Sequence, residues 1–256
     1  MSEQYDNEVS LHYAAYRPPL HQQILAAALA EDYAEYKVAC GVDIGCGTGL
    51  STQALKPYCV QAFGIDPSAA MLEQASEAAG ITYLQGTGED IALSDGSVDI
   101  VTFAGSLSYA KSSALVQELV RVCRPNATIV VYDFEVLLRD VMVSLGISET
   151  PVPSTYDHAI NFHGCAQLHE TKVRQEQLTL EMTSEQLAHV LFSSSRRYQQ
   201  LIARFGAHNT FTTVVQALNH KGDTHPIKVD IYYSTYQPSV LAGCEPERRV
   251  STIGDS

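Results

Sequence analysis

Val42-Asp43-Ile44-Gly45-Cys46-Gly47-Thr48-Gly49-Leu50 is the stretch that decides how this chain folds. A short apolar segment ends in alternating glycines and a helix-like segment follows. That is the arrangement of the carboxyl edge of an open α/β sheet, where such sheets bind ligands. Gly45 and Gly47 let the backbone turn tightly and approach a ligand with no Cβ in the way. A phosphate-gripping loop would need a lysine after its last glycine, and none is present. A dinucleotide fingerprint, Gly-x-Gly-x-x-Gly, would place its third glycine where Leu50 stands. Asp66, closing the next apolar segment, could accept ribose hydroxyls under either nucleotide chemistry.

Working outward, helix-like and strand-like stretches alternate. Leu20–Tyr33 has apolar residues at helical spacing, Lys37–Ile44 reads as a buried strand, Leu50–Leu55 as a helix and Val60–Ile65 as a strand. Pro67–Ala79 is rich in alanine, leucine, methionine and glutamate, which predicts a long helix. Ile81–Gln85 and Val98–Phe103 read as strands, Ala114–Val122 as a helix and Thr128–Phe134 as a β-branched strand. This alternation predicts a parallel sheet with helices on both faces. Farther on, Lys172–Leu180 and Ile227–Tyr236 suit strands and Ser184–Phe205 a helix. The span 137–170, broken by proline and glycine and holding three histidines, is expected to be an insertion or lid over the sheet. The expected organisation is one domain over 1–256: N-terminal cap helices (1–36), a ligand-binding core (37–135), and a substrate-side insertion with the final strands (136–240).

The 256 residues are 45% hydrophobic and 18% charged, a composition that folds. Sixteen basic against 29 acidic residues give a net charge of −13, which opposes nucleic-acid coating and docking on anionic membranes. No apolar run is long enough to span a bilayer. Met1-Ser2-Glu3-Gln4-Tyr5-Asp6 lacks the basic start and apolar stretch of a secretory signal. Cys40, Cys46, Cys59, Cys123, Cys165 and Cys244 include no Cys-x-x-Cys, so reduced thiols and a cytoplasmic location are expected.

Four motifs in order carry a family resemblance. They are the glycine loop with Asp43; Gly64-Ile65-Asp66-Pro67-Ser68-Ala69-Ala70-Met71-Leu72; Gly86-Thr87-Gly88-Glu89-Asp90 with Asp95-Gly96-Ser97-Val98-Asp99; and Arg121-Val122-Cys123-Arg124-Pro125-Asn126-Ala127. Together they resemble the S-adenosylmethionine-dependent methyltransferases of the Rossmann-like class, in particular the type 11, trans-aconitate-methyltransferase-like small-molecule group. The resemblance implies an α/β fold: a Rossmann-like, seven-stranded, mostly parallel sheet with helices on both faces and a helical cap or insertion. It implies S-adenosyl-L-methionine as cofactor. Gly45, Cys46, Gly47, Thr48 and Gly49 would meet its methionine portion, Asp43 its ammonium, directly or through water, and Asp66 its ribose. Pro67 and Met71 would pack near the adenine, with Thr87, Gly88 and Glu89 framing its edge. Ala104 and Gly105 would lie beside the sulfonium. Tyr13-Ala14-Ala15-Tyr16-Arg17-Pro18-Pro19-Leu20 resembles the cap of small-molecule members, where Tyr16 closes over the cofactor and Arg17 holds its carboxylate or an acidic substrate.

Phe103-Ala104-Gly105-Ser106-Leu107-Ser108-Tyr109 lacks the Asn/Asp-Pro-Pro-Tyr/Phe run that marks methylation of DNA amines, and no Pro-Cys nucleophile occurs. Together with the charge, this points to a small-molecule acceptor, with oxygen (hydroxyl or carboxylate) first and nitrogen or carbon open. Candidate bases are Tyr109, His158 and His163, with Asp133 at the end of the fifth strand. Histidines 158, 163 and 169 are spaced by five and six, unsuited to one helix face, so no metal is expected. A monomer or homodimer is expected. A nicotinamide-dependent oxidoreductase and a non-catalytic cofactor-binding protein are the other classes that the loop allows.

Overall fold

The structure, a computed structural model, describes residues 8–9, 11–12, 15–33, 36–148 and 156–239. Cys244 and parts of the N-terminal run, Tyr13 and Ala14, lie outside them. After helix α1 (Leu20–Tyr33) come strand β1 (Val38–Ile44), helix α2 (Leu50–Leu55) and β2 (Cys59–Asp66). They are followed by α3 (Ala69–Leu72), β3 (Ile81–Gln85), β4 (Val98–Ala104), α4 (Leu107–Ala110), α5 (Ser113–Val122) and β5 (Cys123–Val136). The chain continues through α6 (Arg139–Ser144), β6 (Leu168–Thr183), α7 (Ser184–Phe192), α8 (Ser195–Phe205), α9 (Thr210–Asn219) and β7 (Thr224–Pro238).

The strands form one seven-stranded sheet in the order β3-β2-β1-β4-β5-β7-β6. β1 to β5 run parallel, while β7 is antiparallel to both β5 and β6. Alternate side chains of the central strands feed two cores. Val42, Ile44, Val101, Phe103, Ile129 and Val131 meet α5 on one face; Ile100, Val130 and Tyr132 meet α1 and α2 on the other. Strands buried on both faces explain the near-continuous apolar runs in the sequence.

The last two strands behave differently. β5 and β7 stop pairing at Val136 and Val229, but β6 and β7 pair onward to Thr183 and Thr224. The ribbon therefore projects roughly 16 Å beyond β5 at ~3.3 Å per residue. A third apolar cluster sits on that projection, built from Met182, Ile227, Met142 of α6 and the buried faces of α7 to α9. It places a helical roof beside the carboxyl edge of the sheet. Most of β6 is exposed and polar, which suits an edge strand.

Two helices differ from their sequence expectation. The helix read over Pro67–Ala79 is a single turn, Ala69–Leu72, with Ser68 accepting the Met71 amide at its start. None of residues 67–80 is buried. A stretch with helix propensity and no packed face has little to hold a long helix together. Ser184–Phe205 is two helices, broken at Ser193-Ser194, where the Arg197 guanidinium donates to the carbonyls of Val190 (3.3 Å) and Leu191 (3.2 Å) and so caps α7. The span 137–170 contains α6, and its residues 156–165 lie against the β4–β5 region.

Candidate active site

The glycine loop is held by hydrogen bonds to the end of β2. The amides of Gly45 and Cys46 donate to the Ile65 carbonyl (2.8 and 3.1 Å), and that of Gly49 to the Cys46 carbonyl (2.9 Å). The Gly47 amide donates to Asp66 Oδ2 (2.9 Å), and the Ser68 amide to Asp66 Oδ1 (2.8 Å). All three glycines have positive φ, 73°, 54° and 84°. Their surroundings differ. A Cβ at Gly45 would strike Ser106 and one at Gly49 the Tyr83 hydroxyl, whereas at Gly47 it would meet nothing within 4 Å. Gly45 and Gly49 are thus fixed by the protein's own packing, and Gly47 borders open space.

Asp43, expected to reach the ligand's ammonium directly or through water, is tied by its side chain to α2 and β4. It is fully buried, with Oδ2 accepting from the hydroxyls of Ser51 (2.6 Å) and Thr52 (2.8 Å) and Oδ1 from Thr102 (2.8 Å). Burial pushes its carboxyl up against the pull of those three hydroxyls. The residue joins β1 to α2 and β4 and presents no surface to a ligand. Cys46 is buried as well, and burial pushes its thiol up to about 12, which makes it inert. Gly88 packs against Leu115 and Ile44, Thr87 Oγ1 accepts the Glu89 amide (3.3 Å), and Glu89 accepts from the Ser112 hydroxyl (2.5 Å).

The fit to a nucleoside cofactor turns on Asp66. It is 9% exposed at the tip of β2, and each oxygen holds one backbone amide, leaving lone pairs for a hydroxyl pair. Open space at Gly47 lies on one side, and Pro67 with Met71, which is 46% exposed, lies on the other. Thr48 is half-buried in the same loop. These residues fit a ribose and a flat base.

A second cluster forms where β4 and β5 end. The Gly105 amide donates to the Tyr132 carbonyl (2.8 Å), and a Cβ on this residue, φ 70°, would lie 3.2 Å from Asp133 Oδ1. The Tyr156 hydroxyl lies 2.8 Å from Asp133 Oδ2 and 2.9 Å from the Gly105 carbonyl, donating to this pair. His158 Nδ1 stands 2.9 Å from Asp133 Oδ2. The imidazole stacks on Tyr232 at 6.0 Å between centroids with an interplanar angle of 16°. Tyr109 is 83% exposed, its ring 6.2 Å from that of Tyr156. His163 does not join this group. It is exposed, 3.5 Å from Glu170, and Glu170 pairs with Tyr236, which pairs with Ile129 in the middle of β5. Tyr232 was missed by the sequence reading, because only the β5–β7 register sets it opposite Asp133.

On the other face of β5, His21 Nδ1 meets the Tyr132 hydroxyl at 3.0 Å. Burial, then the charge of Arg17, pushes His21 down to about 4, and burial lowers Arg17 to about 10. Tyr16 packs partly buried on the third apolar cluster. Among the described residues, no group of three or more His, Cys, Asp or Glu is placed to hold a metal ion. No helix among them is long and apolar enough to cross a membrane.

Residues 42–131 match the family model described as a methyltransferase domain. A methyltransferase-named protein of Dictyostelium discoideum is 25% identical over 126 residues, 49% of this chain and 47% of that protein. A Saccharomyces cerevisiae protein named as an S-adenosylmethionine-dependent methyltransferase is 35% identical over 95 residues, 34% of this chain and 33% of its own length. The chain therefore spans half or less of these curated relatives. In fold, it resembles a type II methyltransferase structure from Anaeromyxobacter dehalogenans, with a TM-score of 0.60 at 19% identity, over 86% of this chain and 95% of the other.

Proposed function

We propose that this chain, whose residues 42–131 match a methyltransferase-domain model, transfers a methyl group from S-adenosylmethionine to an oxygen of a small-molecule acceptor. The observation that carries this reading is the pairing of two different sites along one sheet edge. The Asp66–Gly47 cradle ends β2, and the Asp133, Tyr156 and His158 group lies at the end of β5, with β1 and β4 between them.

When bound, S-adenosylmethionine supplies an electrophilic methyl carbon on a sulfonium. Asp66 would accept the ribose hydroxyls and Gly47 would leave room for the methionine portion, with Pro67 and Met71 flanking the base. Ala104 and Gly105 would border the reacting centre, where the missing Cβ of Gly105 leaves space beside Asp133. Much of the rate of such a displacement can come from positioning and exclusion of water. The roof of α6 to α9 and the half-buried Tyr16 and Arg17 would serve that end. The net charge of −13 favours a small acceptor over nucleic acid. A cytoplasmic enzyme, monomeric or homodimeric, completes the proposal.

Titration calorimetry with S-adenosylhomocysteine, with NADH as control, tests it. Micromolar binding of the thioether and none of NADH is expected, and Asp66→Ala should weaken it at least tenfold, about 1.4 kcal/mol. Binding of NADH alone would turn the loop over to hydride chemistry.

A further inference from the structure

Resting on the methyltransferase reading above, we infer that Asp133 is a positioning residue that fixes His158 as a general base, and that the acceptor is a neutral molecule whose hydroxyl oxygen is methylated, not a carboxylate. A carboxylate can only accept, so the 2.9 Å contact of Asp133 Oδ2 requires the proton on His158 Nδ1. In the neutral ring, Nε2 then carries the lone pair. Stacking on Tyr232 and the edge-on Tyr156 ring, 4.7 Å away, fix the plane of the imidazole. Asp133 is itself held, because Oδ1 accepts the Phe134 amide (2.7 Å) and Oδ2 faces the Tyr156 hydroxyl. Asp133 Oδ2 and the Tyr156 hydroxyl, which also faces the Gly105 carbonyl, tie the Nδ1 side of the imidazole to the end of β4.

The charge around the ring selects the acceptor. Asp133, Asp157, Glu135 and Asp230 all act on Tyr232 and, after burial, hold its hydroxyl above the usual range. Tyr156 is pushed up to about 12, by burial first and also by Asp133. Arg174 is the cation bordering the shallow cleft beside His158, and its guanidinium donates to the Val173 carbonyl (3.1 Å). The same cleft is lined by Val131, Ile160, Asn161 and Gln175, apolar or neutral side chains. Four carboxylates around the ring against one lining cation, Arg174, leave a net negative field, which disfavours a carboxylate relative to an uncharged hydroxyl. In the reaction, the acceptor oxygen forms its bond to the methyl carbon as the carbon–sulfur bond breaks. The hydroxyl proton passes to Nε2, and the sulfonium becomes a neutral thioether. A carboxylate acceptor would carry no such proton, and the Asp133–His158 pair would have no task.

Nitrogen-15 NMR of the imidazole tests this in the full chain saturated with S-adenosylhomocysteine, with phenol and benzoate as probes. The neutral ring of His158 should carry its proton on Nδ1. Phenol should shift the His158 resonances and benzoate should leave them unchanged. Asp133→Asn should mix the tautomers, and Asp133→Glu should restore the Nδ1 form. With any phenol that is turned over, His158→Gln should cut kcat by about a hundredfold or more and remove the acidic limb of its pH profile, with KM little changed. A proton on Nε2, a response to benzoate alone, or silence from both probes overturns the inference. Failure of the wild-type chain to bind S-adenosylhomocysteine sinks the methyltransferase reading instead, and the tautomer, measurable without ligand, is judged separately. If Asp133→Asn fails to fold, the wild-type tautomer and the His158→Gln profile still decide.

Discussion

The strands before β5 and the strands after it build their halves of the sheet edge in opposite ways. On the first side the residues proposed to face the cofactor are local: Gly47 and Asp66 belong to one β-turn-α-β unit and meet across 19 residues of chain. On the second side Asp133, Tyr156 with His158, and Tyr232 come from three places in the sequence, and only antiparallel pairing and loop packing bring them together. The first half also binds its functional loop to its own core through Asp43, so its chemistry and stability are joined. The second half carries its polar cluster on a partly exposed edge, where residues can change at smaller cost to folding.

Substitutions at Asp43 and Asp133 put this contrast to the test most strongly. Asp43→Ala strands three buried hydroxyls and should cost about 3–5 kcal/mol in urea unfolding, a penalty typical of breaking a buried charged network. Asp133→Asn should cost about 1 kcal/mol or less, in keeping with one replaced hydrogen-bond partner. Equal losses at both sites would erase the distinction between the two halves.

The glycine loop sharpens it further. Gly49→Ala combines positive φ with collision against the Tyr83 hydroxyl and should destabilise by about 2–3 kcal/mol. Gly47→Ala has positive φ but open space and should cost about 1 kcal/mol, while weakening binding of S-adenosylhomocysteine. Calorimetry and thermal melts on the same pair of variants separate the two roles.

The carboxyl end of β5 should also report its burial through pH. His21 is near 4 in the folded chain against 6.5 unfolded, so below 6.5 the unfolded chain takes up a proton that the folded chain refuses. Stability should therefore fall as pH drops from 6.5 towards 4, and His12, His189 and His225, also lowered chiefly by burial, act with the same sign. The thermal midpoint should fall across that window, and His21→Gln should remove part of the fall. The smallest effect is expected at Ser76 and Glu77, exposed beyond α3, where substitution should change stability by less than about 0.5 kcal/mol.

What could be read from the sequence follows the same division. The apolar runs of β1, β2 and β4 and the glycine loop are local signals, and the parallel order followed from them. Pro67–Ala79 misled because helix propensity was present without a buried face to stabilise it. Asp43 stands where the motif puts a ligand residue, and only the positions of Ser51, Thr52 and Thr102 show how its side chain is held. His158 and His163 were indistinguishable in sequence. Asp133 draws in the first, and Glu170 on β6 meets the second. Tyr232 carries no local mark, since its role depends on a register set across about a hundred residues.

In the proposed enzyme, cofactor recognition resides in the first half and acceptor chemistry in the second. The most direct measurement is the affinity for S-adenosylhomocysteine of the wild-type chain, Asp66→Ala and His158→Gln, each shown to be folded. The account predicts binding that drops at least tenfold in Asp66→Ala and stays within about twofold in His158→Gln. Equal loss in both variants, or loss in His158→Gln alone, would contradict it.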